Sequence, residues 1–115
     1  MSKPELTNGP PGPNSVHLCV DMQRLFAEHT DWHTPWMARV LPVVRRLVAR
    51  EPTRTVFTRF MPLTNAGEGI GTLSQYYRRW ESMTLEHLGK QMADLMPELA
   101  SFVPPAAVEI GRAHV

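Results

Sequence analysis

The fold of this chain is decided by residues 15–26, which read SVHLCVDMQRLF. The apolar run from Val16 to Val20 is short and β-prone and follows a segment rich in proline and glycine, so it predicts a buried strand. Asp21 comes directly after that run. In a parallel α/β sheet, the residue just beyond the carboxyl end of a strand faces the ligand crevice, which makes Asp21 a candidate site residue. The alternative is that Asp21 only caps a turn.

A helix is expected next, beginning at Pro35 and ended by Glu51-Pro52; within it, apolar side chains recur at helical spacing from Trp36 to Val48, and arginines fill the other side. Thr34 is its predicted N-cap and Pro35 its first residue, since proline costs nothing at that position. Pro42 should bend this helix or mark a restart, because it removes one backbone donor. Residues 22–30, before the helix, are expected to form a loop.

Two further strands are predicted, over residues 53–60 and from residue 106 onward. Between them we expect a long loop over 61–71, a short helix over 72–80 and short helical turns within 85–99. Strands that alternate with helices indicate an α/β fold with a parallel sheet. Arg59 and Phe60 then end the second strand on the same rim as Asp21, which makes both of them candidate substrate contacts. Phe26 is a candidate pocket wall beside Asp21, or plain core.

Composition excludes several classes of function. Twelve Lys and Arg against eleven Asp and Glu leave a net charge of +1, which gives no electrostatic footprint for nucleic acid or for an anionic membrane. The apolar runs are too short to span a bilayer, so a cytoplasmic protein is expected. The single cysteine excludes an internal disulfide. Residues 1–14, rich in proline and glycine, are expected to be a disordered leader.

The sequence Val20-Asp21-Met22-Gln23 followed by Phe26 resembles the opening of the isochorismatase-like cysteine hydrolases, whose first strand ends in a D-x-Q motif with an aromatic residue shortly after. A second strand, Trp80 and a Pro-Glu-Leu segment follow in the family's order, so the resemblance covers residues 15–108. It implies a three-layer α/β/α fold with a parallel, Rossmann-type sheet, of which this chain would supply the N-terminal part.

The resemblance also implies an activity. Asp21 would be the general base that deprotonates a nucleophilic cysteine. The aromatic segment that contains Trp80 would help to close the site or pack a subunit contact, which makes Trp80 a further candidate substrate contact. The substrate would be a small amide, ureide or vinyl ether, hydrolysed without a cofactor, and the full-length parent would be a homo-oligomer. Asp31-Trp32-His33 is similar to a metal-binding spacing of nicotinamidase-like relatives, but it precedes the first helix, so we expect no metal site.

Two residues of the family's catalytic set have no match here. The family's lysine follows the third strand, whereas Lys90 precedes it, and Cys19 lies inside the first strand, where we expect a buried core thiol. The chain is therefore expected to end before these groups and to be inactive as given. Residues 109–115 can be back-translated into DNA that resembles the start of a common sequencing adapter, so we expect a non-native tail there.

A different class of function stays open beside the hydrolase. The chain would then be a non-catalytic α/β module whose aromatic segment, with Tyr76, Tyr77 and Trp80, binds a partner or completes a homodimer. Uncovered strand edges and apolar helix faces would favour association over activity.

Overall fold

A computed structural model describes residues 6–112 of the chain. Its centre is a three-stranded sheet formed by β1 (His17–Val20), β2 (Thr55–Met61) and β3 (Ala107–Arg112), in the order β1-β2-β3. Both strand pairs are parallel: Val20 lies opposite Thr58 in one pair, and Val56 lies opposite Ala107 in the other. The prediction of an α/β fold with a parallel sheet is confirmed at this level.

The helices of the described residues are mostly short. Their bounds are α1 (Arg24–Ala27), α2 (Met37–Arg50), α3 (Thr72–Arg79), α4 (Leu85–Leu88) and α5 (Pro97–Ala100). Single 3₁₀ turns occupy Pro52–Arg54, Ala66–Glu68, Glu81–Met83 and Lys90–Ala93. The short helix predicted over 72–80 and the helical turns within 85–99 are both present.

Helix α2 is amphipathic as predicted, but it begins later than the sequence indicated. The backbone N–H of Thr34 donates to the Phe26 carbonyl at 2.7 Å, which ties Thr34 to the preceding segment. Helical structure therefore starts only at Met37, with Trp36 rather than Thr34 at the N-cap position. Pro42 lies inside the helix without ending it, so of the two expected effects, a bend or a restart, the restart does not occur.

Other element bounds differ from the sequence prediction for local reasons. Residues 22–30 are not all loop, because burial of Leu25 favours the one-turn helix α1, with the Phe26 N–H donating to the Gln23 carbonyl. The second strand begins at Thr55, since residues 52–54 form a 3₁₀ turn first. Residues 109–112 of the expected tail continue β3 and pair with β2, while 113–115 and the first five residues of the expected leader lie outside the described residues.

The core lies on one face of the sheet, between the strands and helices α2 and α5. Phe57 of β2 and Val48 of α2 are fully buried there, and Cys19 of β1 is 4% exposed. A fully buried aliphatic or aromatic side chain contributes roughly 1.5–3 kcal/mol through removal from water. The remaining buried members of this cluster are Met22, Met37, Leu95, Met96, Leu99 and Ala106.

The opposite face of β1 is uncovered within residues 6–112. Val16, Leu18 and Val20 are each more than half exposed, because side chains alternate along a strand and Cys19 takes the buried side. A third layer that would cover this face is not present among the described residues, so the three-layer arrangement stays a proposal. The same residues include no helix with the length and hydropathy that crossing a membrane requires.

Candidate functional site

The carboxyl ends of β1 and β2 open into a cavity of about 450 Å³, which we call the aromatic pocket. Its volume lies within the range of ordinary small-molecule sites. A single ionisable acid, Asp21, contributes to a lining that is otherwise aromatic or aliphatic. The lining residues are Asp21, Phe26, Trp32, Phe60, Leu73, Tyr76 and Tyr77.

Asp21 occupies the left-handed region of backbone conformation, with φ of 55°. This region is uncommon for residues other than glycine, although aspartate and asparagine tolerate it better than most. Two hydrogen bonds hold its backbone there: the Asp21 N–H donates to the Thr58 carbonyl at 3.2 Å and to Thr58 Oγ1 at 3.2 Å. The strained turn is thus fixed by β2, and it directs the chain away from β1 at the pocket.

The Asp21 carboxylate is sparsely bonded. Thr58 Oγ1 donates to Asp21 Oδ1 at 3.3 Å, a long hydrogen bond, and the described residues provide the carboxylate with no other. Most of its lone pairs are therefore available to a ligand or to a proton. Backbone strain of this kind, observed beside a cavity, supports a functional hypothesis.

Gln23 holds the backbone next to the pocket in place, although its side chain does not line the pocket. It is fully buried, and its Nε2 donates to the Phe60 carbonyl at 2.8 Å and to the Ala93 carbonyl at 2.7 Å. In return, the Phe60 N–H donates to Gln23 Oε1 at 2.7 Å. The sequence analysis assigned no role to Gln23, though an amide two residues after a strand-terminal acid was the available signal.

Trp32 is the centre of the aromatic cluster. Its ring centroid lies 6.1–6.4 Å from those of five other rings, which is the usual spacing of interacting aromatic pairs. These rings belong to Phe26, Phe60, Tyr76, Tyr77 and Trp80. Trp80, a predicted substrate contact, packs against Trp32 and is not part of the lining. From the sequence, Trp32 was noted only as the residue between Asp31 and His33 in a motif similar to a metal-binding one.

Local contacts hold the aromatic cluster in place. The backbone N–H of Trp32 donates to Thr30 Oγ1 at 3.2 Å, and the neighbouring Asp31 carboxylate accepts a hydrogen bond from the Ser82 hydroxyl. Gly71 adopts φ of 64°, a value that glycine reaches without steric cost, just before α3. Helix α3 then delivers the two tyrosines to the pocket.

Tyr77 is the most buried ring of the lining, at 1% exposure. Burial raises the pKa of its phenol, an effect that the nearby Leu63 backbone partly opposes. Its hydroxyl has no hydrogen-bond partner of ordinary geometry among the described residues. Tyr77 therefore stays neutral at physiological pH and forms an apolar wall.

Arg59 does not belong to this pocket. Side chains alternate along β2, so Phe60 faces Asp21 while Arg59 projects to the other side. There it lines a second cavity, which we call the arginine pocket, together with Arg24 and Asp94. Arg59 Nε donates to the Ala93 carbonyl at 3.0 Å and Arg59 Nη2 to Asp94 Oδ1 at 3.1 Å. The structure thus brings Phe26 and Phe60 to Asp21, but takes Arg59 away.

The other residues that the resemblance raised lie outside the aromatic pocket. Cys19 points into the core, and burial raises the pKa of its thiol from 9.0 to about 11. A thiol of that pKa is almost entirely protonated at neutral pH and is a poor nucleophile. Lys90 is exposed, at the start of the turn Lys90–Ala93, and does not line the cavity. Within residues 6–112, the site therefore supplies a carboxylate without an adjacent thiol or amine nucleophile.

The motif Asp31-Trp32-His33 does not form a metal cluster in the described structure. The rings of His29 and His33 are 5.0 Å apart, but residues 6–112 contain no group of three or more His, Cys, Asp or Glu side chains that could hold a metal ion.

Comparison of the chain with protein-family models finds no match, and comparisons with curated proteins and with solved structures also find none.

Proposed function

We propose that the aromatic pocket is part of the active site of an isochorismatase-like hydrolase and that Asp21 is its general base. One observation carries this proposal: Asp21 is held in a left-handed turn at the carboxyl end of a parallel strand, with a nearly unbonded carboxylate facing an aromatic cavity. Carboxyl ends of parallel strands are the usual place for ligand sites in α/β sheets.

In the proposed reaction, the Asp21 carboxylate accepts the proton of the attacking nucleophile and later delivers it to the leaving nitrogen or oxygen. A positioned base of this kind contributes typically 10²–10⁴-fold to the rate. Phe26 and Phe60 would hold the small substrate against the carboxylate. The nucleophile would be water, or a cysteine encoded by a reading frame that continues beyond the codon for Val108, because Cys19, the single cysteine of the sequence, is buried in the core.

The finer features of the proposal follow from the same resemblance. They are a three-layer α/β/α domain, a substrate from the amides, ureides or vinyl ethers, a homo-oligomeric parent and a cytoplasmic location. The uncovered face of β1 is compatible with a further layer of structure there. The exposed side chains of Val16, Leu18 and Val20 form an apolar patch of the kind that is often covered by another part of a protein or by a partner.

The reading frame of the source locus beyond the codon for Val108 tests the proposal directly. We expect it to continue into a lysine after the third strand and then a cysteine at a strand-to-helix turn. A clean genomic copy that encodes residues 109–115 and then a stop codon would overturn the cysteine-hydrolase proposal.

In the protein encoded by the continuing frame, Asp21→Asn is expected to lower kcat/KM for its amide or ureide substrate by about 10³-fold or more, because the base is lost. Asparagine also tolerates the left-handed conformation, so the thermal unfolding midpoint should stay close to that of the parent. Activity on an amide panel and circular dichroism melting measure the two effects. Retained turnover would mean that Asp21 is only a turn residue.

A self-associating module is the second candidate function. In addition to the exposed side of β1, helix α2 carries a second apolar stripe that is 42–62% exposed, formed by Trp36, Val40, Val43 and Leu47. Spacings of three and four residues place these side chains on one side of the helix. Light scattering of the 115-residue chain discriminates the candidates: a stable, inactive dimer would favour the module.

A further inference from the structure

We propose that the aromatic pocket binds a quaternary ammonium group, so that the substrate is a small organic cation. The inference rests on the proposed function in one respect only: it takes the aromatic pocket to be the ligand site. It does not depend on the reaction that follows.

The charge of the pocket lining favours a cation. Among the described residues, Asp21 is the only carboxylate of the lining, and no Lys, Arg or His belongs to it. The arginine pocket lies on the other face of β2, where Arg59 is paired with Asp94. A cation entering the aromatic pocket therefore meets a carboxylate with no competing basic side chain in the lining, whereas an anion would meet an uncompensated negative charge.

The aromatic side chains of the lining also favour a cation. The lining presents the rings of Phe26, Trp32, Phe60 and Tyr76 around one cavity. The faces of aromatic rings carry partial negative charge and attract cations, and tryptophan does so most strongly. Aromatic side chains beside a carboxylate suit a quaternary ammonium ligand, because its methyl groups contact the apolar rings while its charge is attracted to the ring faces and to the carboxylate.

Two cation–π contacts are present elsewhere in the structure. The Arg39 guanidinium lies 4.6 Å from the ring centroid of Trp36, and that of Arg79 lies 5.5 Å from Trp80. Within the described residues, however, Trp32 is paired with other rings and not with an internal cation.

A quaternary ammonium group is also compatible with Asp21 as a base. It has no N–H to donate, so it interacts with the carboxylate through charge alone and leaves the lone pairs of the carboxylate free to accept a proton. A primary ammonium would instead hydrogen-bond to the carboxylate and compete with the proposed proton transfer. This reasoning favours trimethylammonium compounds over simple amines.

The test is a titration of the 115-residue chain with choline and with its neutral isostere 3,3-dimethylbutan-1-ol, followed by the indole N–H signals of Trp32, Trp36 and Trp80 in ¹⁵N NMR spectra. We expect choline to shift the Trp32 signal saturably, to leave the Trp36 signal unchanged, and to bind about 5-fold tighter than the isostere or more. Equal binding of the isostere, or no saturable shift with choline, would overturn the proposal.

Variants separate charge from shape. Asp21→Asn should weaken choline about 5-fold while leaving the isostere unchanged, because only the charge is removed. Trp32→Leu should reduce the preference for choline, because the cation–π attraction of the indole is lost while the Asp21 charge stays. Trp36→Leu, at the exposed N-cap of α2, is the matched control that should keep the full preference. Choline affinity that is unaffected by Asp21→Asn would contradict the charge argument. Because these are binding measurements, their failure would leave the hydrolase test intact, and a failed hydrolase test would leave them intact.

Discussion

The aromatic pocket and the arginine pocket lie at the carboxyl end of the same strand, on opposite faces, and they use their charges in opposite ways. Asp21 in the aromatic pocket has one long hydrogen bond to its carboxylate. Arg59 in the arginine pocket is bonded both to the Ala93 carbonyl and to the Asp94 carboxylate. The Asp21 carboxylate therefore keeps most of its lone pairs for a ligand, whereas the Arg59 guanidinium is already bonded within the protein.

Gln23 separates the two pockets and holds both of them. Its amide bonds to the backbone of Phe60, which lines the aromatic pocket, and to the carbonyl of Ala93, which also receives Arg59. An antiparallel bridge between Gln23 and Leu95 ties the same residue to the segment that carries Asp94. A substitution of Gln23 should therefore disturb both pockets at once.

The largest expected effect is that of Gln23→Leu. The substitution removes three hydrogen bonds, of which the one to the Ala93 carbonyl is buried and the two to the Phe60 backbone are partly buried, and this should lower the free energy of unfolding by about 2–4 kcal/mol. Urea denaturation measures the change. Gln91→Leu is the matched control, because Gln91 is exposed and should cost less than about 0.5 kcal/mol. Equal costs for the two variants would contradict the role of Gln23 as the structural link.

A smaller effect is expected from Cys19, the thiol that belongs to neither pocket. Burial raises its pKa in the folded state from 9.0 to about 11, so above pH 9 the unfolded chain loses this proton first. The thiol therefore contributes stability that is present below pH 9 and is lost as pH rises toward 11. At pH 10 the loss is about 1 kcal/mol.

The measurement for Cys19 is urea denaturation at pH 7 and pH 10 for the chain and for Cys19→Ala, since the difference between the two isolates the thiol. Native Cys19 should also react far more slowly with iodoacetamide at pH 7 than the unfolded chain does. Fast alkylation of the native chain would show that the thiol is accessible and would reopen it as a nucleophile.

The smallest effect is expected for Arg59→Met. The Arg59–Asp94 ion pair is partly exposed, and the Ala93 carbonyl keeps its hydrogen bond from Gln23 when the arginine is lost. The cost should be less than about 1 kcal/mol. Choline binding in the aromatic pocket should not change, with Arg45→Met on the exposed side of α2 as control. A large loss of ligand binding would show that the two pockets are coupled.

Much of the fold could be predicted from the pattern of residues. Alternation of β-prone and helical segments gave the parallel pairing of β1 with β2, the amphipathic helix α2 and the start of the third strand near Ala107. Element ends were less accurate, because they depend on contacts outside the element. The hydrogen bond of the Thr34 N–H to the Phe26 carbonyl, which delays α2, is one such contact.

For the candidate site, the position of Asp21 beside Phe26 and Phe60 could also be predicted, because parallel strands end at a common edge. The place of Arg59 could have been predicted too, since period-2 alternation separates it from Phe60. Trp32 and the burial of Gln23 could not, because they lie in irregular segments whose course no local pattern specifies.

The helices and strands of this chain, and the acid at the end of its first strand, follow from hydrophobic periodicity and from the chemistry of single residues. Which charges find partners within the protein follows instead from the tertiary contacts. Asp94 reaches Arg59 from thirty-five residues away, while the ring of Trp32 and the rings of α3 converge beside Asp21. Whether a charge has partners depends on such long-range contacts, and these form only when the whole chain is packed.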